Sequence, residues 1–204
     1  MVRCAKVQIL LCALVALVGK SAVAQYPYTH HVDAVAKDMT FRVMRAANLF
    51  MTLDNVQNEL GDQPIVWNDG TRLTVEEYEN LILGDIDAAG VYKAIQATFT
   101  EQEYKVLEQG RDRMEVALVV GPDGKVLEVG WSIYVTPRTD AITPDKFAEF
   151  ERNIKRYVTY SVTEDMRRVP YFRTIHNFNF GLMKVLYKNE AIKLPTVDAL
   201  QGDD

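Results

Sequence analysis

Histidine, cysteine and serine, the side chains that most often carry nucleophilic or metal chemistry, are scarce in this chain. There are three His and two Cys in 204 residues. His30 and His31 are adjacent, so their side chains diverge in an extended backbone, and no helical i, i+4 partner supports a metal site. They read as solvated residues of a leader. His176 stands between Ile175 and Asn177 in an aromatic stretch and reads as a satisfied, partly buried histidine rather than a catalytic one, because no nucleophile is near it in sequence. Ser132 and Ser161 sit in neither a G-x-S-x-G nor an S-x-x-K setting. No metal and no cofactor is expected.

Acids cluster at Glu76, Glu77 and Glu79 and again at Asp85 and Asp87. A carboxylate pair across a sugar can hydrolyse a glycosidic bond. Glu76 and Glu77, however, fall in the first turn of a capped helix, where negative charge suits the dipole. Asp85-Ile86-Asp87 lacks the glycine and terminal glutamate of a calcium loop. Gly84, Gly90, Gly121 and Gly124 do not assemble into a phosphate-binding loop.

One basic concentration remains, Lys155-Arg156, Arg167-Arg168 and Arg173, interleaved with Tyr157, Tyr160, Tyr171 and Phe172. Such a surface can hold an anionic ligand. Arg167, Arg168, Tyr171, Arg173 and His176 are the candidate interaction face, with a core-plus-rim role as the alternative. The chain as a whole is acidic, with a formal net charge of −5. That excludes sequence-independent nucleic-acid binding, which needs a basic surface.

The N-terminus changes this arithmetic. Arg3 and Lys6 precede an apolar run over residues 7–19, and Ala22-Val23-Ala24 supplies the small residues of a signal-peptidase site. Residues 1–24 are expected to be a signal peptide cleaved between Ala24 and Gln25. The apolar run is too short to span hydrocarbon, which takes about 20 residues. Leu11 before Cys12 is too bulky for a lipoprotein signal. Removing this segment takes away three basic residues and both Cys, leaving 20 basic residues against 28 acids, a net charge of −8. The mature chain is then cysteine-free, periplasmic or secreted, and rests on its core rather than on disulfides.

The elements that would position these groups come from periodicity. Residues 33–60 place Met39, Val43, Ala46, Phe50, Leu53 and Leu60 at three- and four-residue steps, predicting helix over much of that span. Met39, Phe41 and Val43 also alternate like a strand. Asn68-Asp69-Gly70-Thr71 predicts a small hairpin, and Thr74 with Glu77 a capping box opening a helix to Leu83. Residues 91–99 fit strand or helix, and Thr100 with Glu103 begins a second capped helix ending at Gly110. Residues 114–120 and 125–135 predict strands joined by Gly121-Pro122-Asp123-Gly124. Thr143-Pro144 opens a helix with Phe147, Phe150, Ile154 and Tyr157 on one face. Residues 160–162 and 171–187 predict further strands, with Thr174, His176, Phe178 and Phe180 sharing a face.

Together these give an α+β fold: an antiparallel sheet built mainly from residues 114–187, packed with helices, under an N-terminal helical layer. A single domain over residues 25–194 and an acidic tail over 195–204 complete the chain. The order strand, Asp-Gly turn, strand, helix, strand over residues 114–187 resembles the TonB C-terminal-like domain. The likeness is carried by Val116-Ala117-Leu118-Val119-Val120, Gly121-Pro122-Asp123-Gly124-Lys125-Val126, Leu127-Glu128-Val129 and the helix at 145–157. That family works by protein–protein contact in the periplasm, and the resemblance implies the same here. The chain has no Pro-rich linker, so a role in energising outer-membrane transporters is not implied. The whole also resembles small exported proteins of unassigned function from gut Bacteroidetes.

The expected function is an exported, non-enzymatic binding or protein-interaction domain of the cell envelope, with another envelope protein as partner and no membrane span in the mature form. The alternative is an envelope glycan- or peptide-processing enzyme using carboxylates of residues 76–87 with His176. Mass spectrometry of the exported protein should find Gln25, or its cyclised form, at the N-terminus. Met1 there would mean that the apolar segment is retained.

Overall fold

Two facing rows of apolar residues separated by a Gly-Pro-Asp-Gly turn make the central hairpin. The computed structural model describes residues 32–46 and 49–181. The expected signal segment with Ala24 and Gln25, the expected leader with His30 and His31, and the expected tail 195–204 lie outside the described residues. The chain folds as an α+β structure around one six-stranded antiparallel sheet, with strand order β1-β2-β3-β5-β4-β6. The strands are β1 (Ala34–Val35), β2 (Thr40–Ala46), β3 (Phe50–Asn55), β4 (Arg113–Val120), β5 (Val126–Tyr134) and β6 (Phe172–Asn179). Gly124, at φ +80°, closes the β4–β5 turn in a conformation that other residues seldom adopt.

The helices are α1 (Val75–Glu79), α2 (Ala88–Thr98), α3 (Glu101–Gly110) and α4 (Pro144–Tyr157), with a 3-10 turn at Asp165–Arg168. Both capping boxes form: Thr74 with Glu77 and Thr100 with Glu103 each satisfy two backbone donors reciprocally. Thr143 caps α4 ahead of Pro144. Helices α2 and α4 pack closely because Gly90 has no side chain; a Cβ there would lie 2.1 Å from the Tyr157 carbonyl oxygen.

The core lies between this helical layer and one face of the sheet. Trp131 of β5 is its centre, 5.3 Å from Phe147 and 5.0 Å from Phe150 between ring centroids. Phe99 then bridges Phe150 and Phe180. His176 and Phe178 of β6 are turned to this side, opposite Val116 and Met114.

Three local expectations are corrected. Residues 33–60 form β1, β2 and β3 and not a helix, so the helical layer begins only after them. Of the six residues at helical spacing, Val43 and Leu53 alone are fully buried, whereas the alternating Phe41, Val43, Met51 and Leu53 all are. Period two therefore governs, and strand pairing decides it. The helix from Thr74 stops at Asn80, short of Leu83. Residues 160–162 form no strand; Thr159 and Tyr160 make isolated bridges to Lys125 and Ile86. The described part of the last expected strand is β6, and its continuation to Tyr187 lies outside the described residues.

Among the described residues the sheet's second face carries no long helix. It is covered in part by an arm, residues 56–83, which includes the small hairpin (Val66 bridged to Arg72) and α1. Two side chains of the sheet hold this arm. Glu128 accepts the backbone N–H groups of Glu59, Leu60 and Gly61 at 2.7, 2.9 and 3.1 Å. Arg173 donates from Nη2 to the carbonyls of Leu60 and Gln63. Tyr78 adds a third tie, donating its hydroxyl to the Arg173 carbonyl at 2.9 Å and accepting from the Arg173 N–H.

Glu128→Ala leaves three backbone donors without their acceptor, each costing about 1 kcal/mol or more. Hydrogen exchange at the amides of Glu59, Leu60 and Gly61 should accelerate while the β4–β5 amides keep most of their protection. Phe150→Ala, by contrast, should lower global stability by about 3–5 kcal/mol in a denaturant titration.

Candidate functional site

The register of the sheet aligns side chains into rows on the face beneath the arm. One row runs Glu128 (β5), Val119 (β4), Arg173 (β6). The next runs Arg42 (β2), Asp54 (β3), Gly130 (β5), Ala117 (β4), Ile175 (β6). A third runs Met44, Thr52, Ser132, Glu115, Asn177. The first row holds the arm. The second is the floor beneath it.

Gly130 and Ala117, the two smallest side chains available, sit side by side in the middle of that floor. The result is an open groove of about 560 Å³ between sheet and arm, within the size range of small-molecule sites. Pro64, Ile65, Leu73 and Val75 supply an apolar roof, and Ile175, 68% exposed, continues the apolar lining at the β6 end. Ala117 is exposed although its strand is paired on both sides, because the groove leaves space between it and the arm.

Asp54 holds the β3 position of the floor row, with Arg42 beyond it on β2. A Cβ on Gly130 would lie 2.8 Å from its Oδ1, so the glycine lets the carboxylate lie over the neighbouring strand. Burial pushes the Asp54 carboxyl up from the ordinary carboxylate range, and Asp62 of the arm adds to this; Arg42 opposes both. Nothing among the described residues offers that carboxylate a hydrogen bond. Glu128 and Arg173 also line the groove, but their polar atoms are committed to the arm, except that Arg173 Nε is buried without a partner among the described residues.

The five residues singled out from the sequence do not form one face. Arg173 lines the groove. Tyr171 is buried, its hydroxyl donating to the Gln63 and Pro64 carbonyls, so it braces the arm. Arg168 stacks over Trp67 at 4.3 Å and pairs with Asp165, while the Arg167 carbonyl accepts from Asn68 Nδ2. These four therefore gather around the arm. His176 is turned to the opposite side of the sheet, where its Nε2 meets the Tyr160 hydroxyl. Burial raises the Tyr160 phenol and lowers His176, so the two meet as neutral groups, and the His176 tautomer decides which of them donates.

The acids of residues 76–87 do not converge with His176. Glu77 belongs to the α1 capping box, and its hydrogen bonds to Thr74 hold its carboxyl below the usual range. Asp87 caps α2 through the Ala89 N–H. No carboxylate acts on His176, whose shift comes from burial alone. No group of three metal-ligating side chains occurs among the described residues.

Sequence reasoning missed Asp54, Ala117, Glu128 and Gly130. A signal was present in Glu128 and Gly130, a charge and a glycine two apart in an otherwise apolar strand, where glycine marks close approach. A second hollow of about 380 Å³ lies between α3 and residues 137–146. Its charged groups are mutually engaged: Arg138 with the buried Asp112 at 2.6 Å, and Lys146 with the Thr98 carbonyl. The sheet-face groove is the better candidate.

No family model matches the chain, and no curated protein matches it. Among solved structures it is similar to a DUF5043 family protein from Bacteroides uniformis, with a TM-score of 0.59 at 16% sequence identity, covering 76% of this chain and 94% of that one. At that identity the likeness is one of fold. No helix among the described residues is long and apolar enough to cross a membrane.

Proposed function

We propose that the chain is an exported binding domain of the cell envelope that takes its ligand in the groove between the open sheet face and the arm. The observation that carries this is the groove floor: two minimal side chains, Gly130 and Ala117, flanked by an unengaged carboxylate at Asp54 and an exposed apolar side chain at Ile175. A sheet face evolved for stability alone fills such a row with β-branched or aromatic residues. The export signal read at residues 1–24 and the TonB-like order of elements support an envelope setting and a binding role. The glycan- or peptide-processing alternative required His176 together with acids of residues 76–87, and His176 feels burial and no carboxylate among the described residues, while Glu77 and Asp87 cap helices.

Asp54 behaves as a site residue should. Its raised pKa means that the folded state disfavours its ionised form, so its contribution to stability is best at low pH and is lost as pH rises through its folded-state value. Asp54→Asn is therefore expected to melt higher than the parent at pH 7, with the advantage shrinking as pH falls below the carboxylate range. Calorimetry across pH checks this; a lower melting temperature at pH 7 would contradict it.

Filling the floor separates binding from folding. Ala117→Leu projects into open space and should change stability by no more than about 1 kcal/mol. In an NMR titration with envelope extract, parent amide shifts should concentrate at Ala117, Gly130 and Ile175 and vanish in the variant. Shifts that avoid these positions would remove the groove from consideration.

A further inference from the structure

We infer that the groove recognises an alkylammonium group, a protonated amine on a short apolar body, with Asp54 as its counter-ion. This rests on the groove being the binding site and names the chemistry that the site selects. Asp54 sits in the floor row between Arg42 and Gly130, with no hydrogen-bond donor on it among the described residues, and a half-buried carboxylate in that state is best satisfied by a charged donor. From Asp54 the row crosses Gly130 and Ala117 to Ile175, three inter-strand steps of about 4.8 Å, or roughly 14 Å. A short alkyl chain lying along it would rest on the glycine and alanine, with Ile65, Leu73 and Val75 above and Ile175 at its far end.

The other charged groups around the groove leave this polarity in place. Glu128 is tied to the arm backbone, and Arg173 is tied to it through Nη2 with only Nε left unpartnered. Arg72 is exposed where it lines the groove. Arg42 is directly across from Asp54 on β2 and partly offsets the effect of burial on its carboxyl, but the two form no direct ion pair. Asp62, from the arm, adds negative charge to the same end. An anionic head would meet two carboxylates there, and a neutral hydroxyl would pair with Asp54 without compensating its charge.

The test compares hexylamine, hexanol and hexanoate by amide-shift titration of the full chain at pH 7. Hexylamine should bind about tenfold or more tighter than hexanol, the difference expected for a charge-assisted against a neutral contact. Hexanoate should bind more weakly than either. Asp54→Asn should bring hexylamine to the level of hexanol without weakening hexanol. If the variant does not fold, the parent alone decides: hexylamine affinity should fall as pH drops through the titration of Asp54, while hexanol affinity stays flat. Equal binding of the three probes, all shifting groove amides, would overturn the ammonium preference and leave the groove standing. No shift at Ala117, Gly130 or Ile175 with any probe would overturn the groove itself. Nα-acetyl-lysine methylamide presents the same ammonium on a peptide backbone. Binding at the level of hexylamine extends the class to lysyl peptides; weaker binding restricts it to free amines.

Discussion

The grip of Glu128 and Arg173 on the arm is the interaction from which the rest of the site follows. A carboxylate accepting three consecutive backbone N–H groups replaces much of its lost hydration with fixed dipoles, which is how a charge is kept in a nearly enclosed position. The guanidinium two strands away does the converse with two carbonyls. Between them they turn one row of an otherwise open sheet face into an attachment line. The arm then stands over the next row, and the depth of the groove is set by how small the residues of that row are.

This division of labour explains why the two faces of one sheet differ so much in composition. On the helix side Trp131, Phe147, Phe150, Phe99 and Phe180 interlock ring against ring, and stability is concentrated there. On the arm side the same strands carry Asp54, Gly130, Ala117 and Ile175, choices that contribute little to packing. Natural sequences depart from local optimisation mainly where something else is required of the residue.

Much of the architecture was legible because it is written in short-range chemistry. Thr74 with Glu77, Thr100 with Glu103, Thr143 with Pro144 and the turn ending at Gly124 each determine their own geometry within four residues. Residues 33–60 misled because apolar side chains from both faces of two paired strands happen to recur at helical spacing; only pairing with a distant strand, β5, distinguishes the periods. The site was harder still. Arg173 and Tyr171 were visible as a basic and aromatic pair, but their engagement with Leu60, Gln63 and Pro64 spans more than a hundred residues of chain. Asp54 drew no notice because a lone aspartate gains meaning only when register sets it beside Gly130.

The hydrogen bonds that fix residues 59–63 to the sheet are made to main-chain atoms: the N–H groups of Glu59, Leu60 and Gly61 and the carbonyls of Leu60 and Gln63. Backbone is common to all amino acids. Side chains along this stretch can therefore drift over generations without detaching the roof from the sheet, provided Glu128, Arg173 and Tyr171 persist. The anchorage of this stretch rests on a few positions, Glu128, Arg173 and Tyr171, and the surface that the arm presents to its surroundings is left free to diversify.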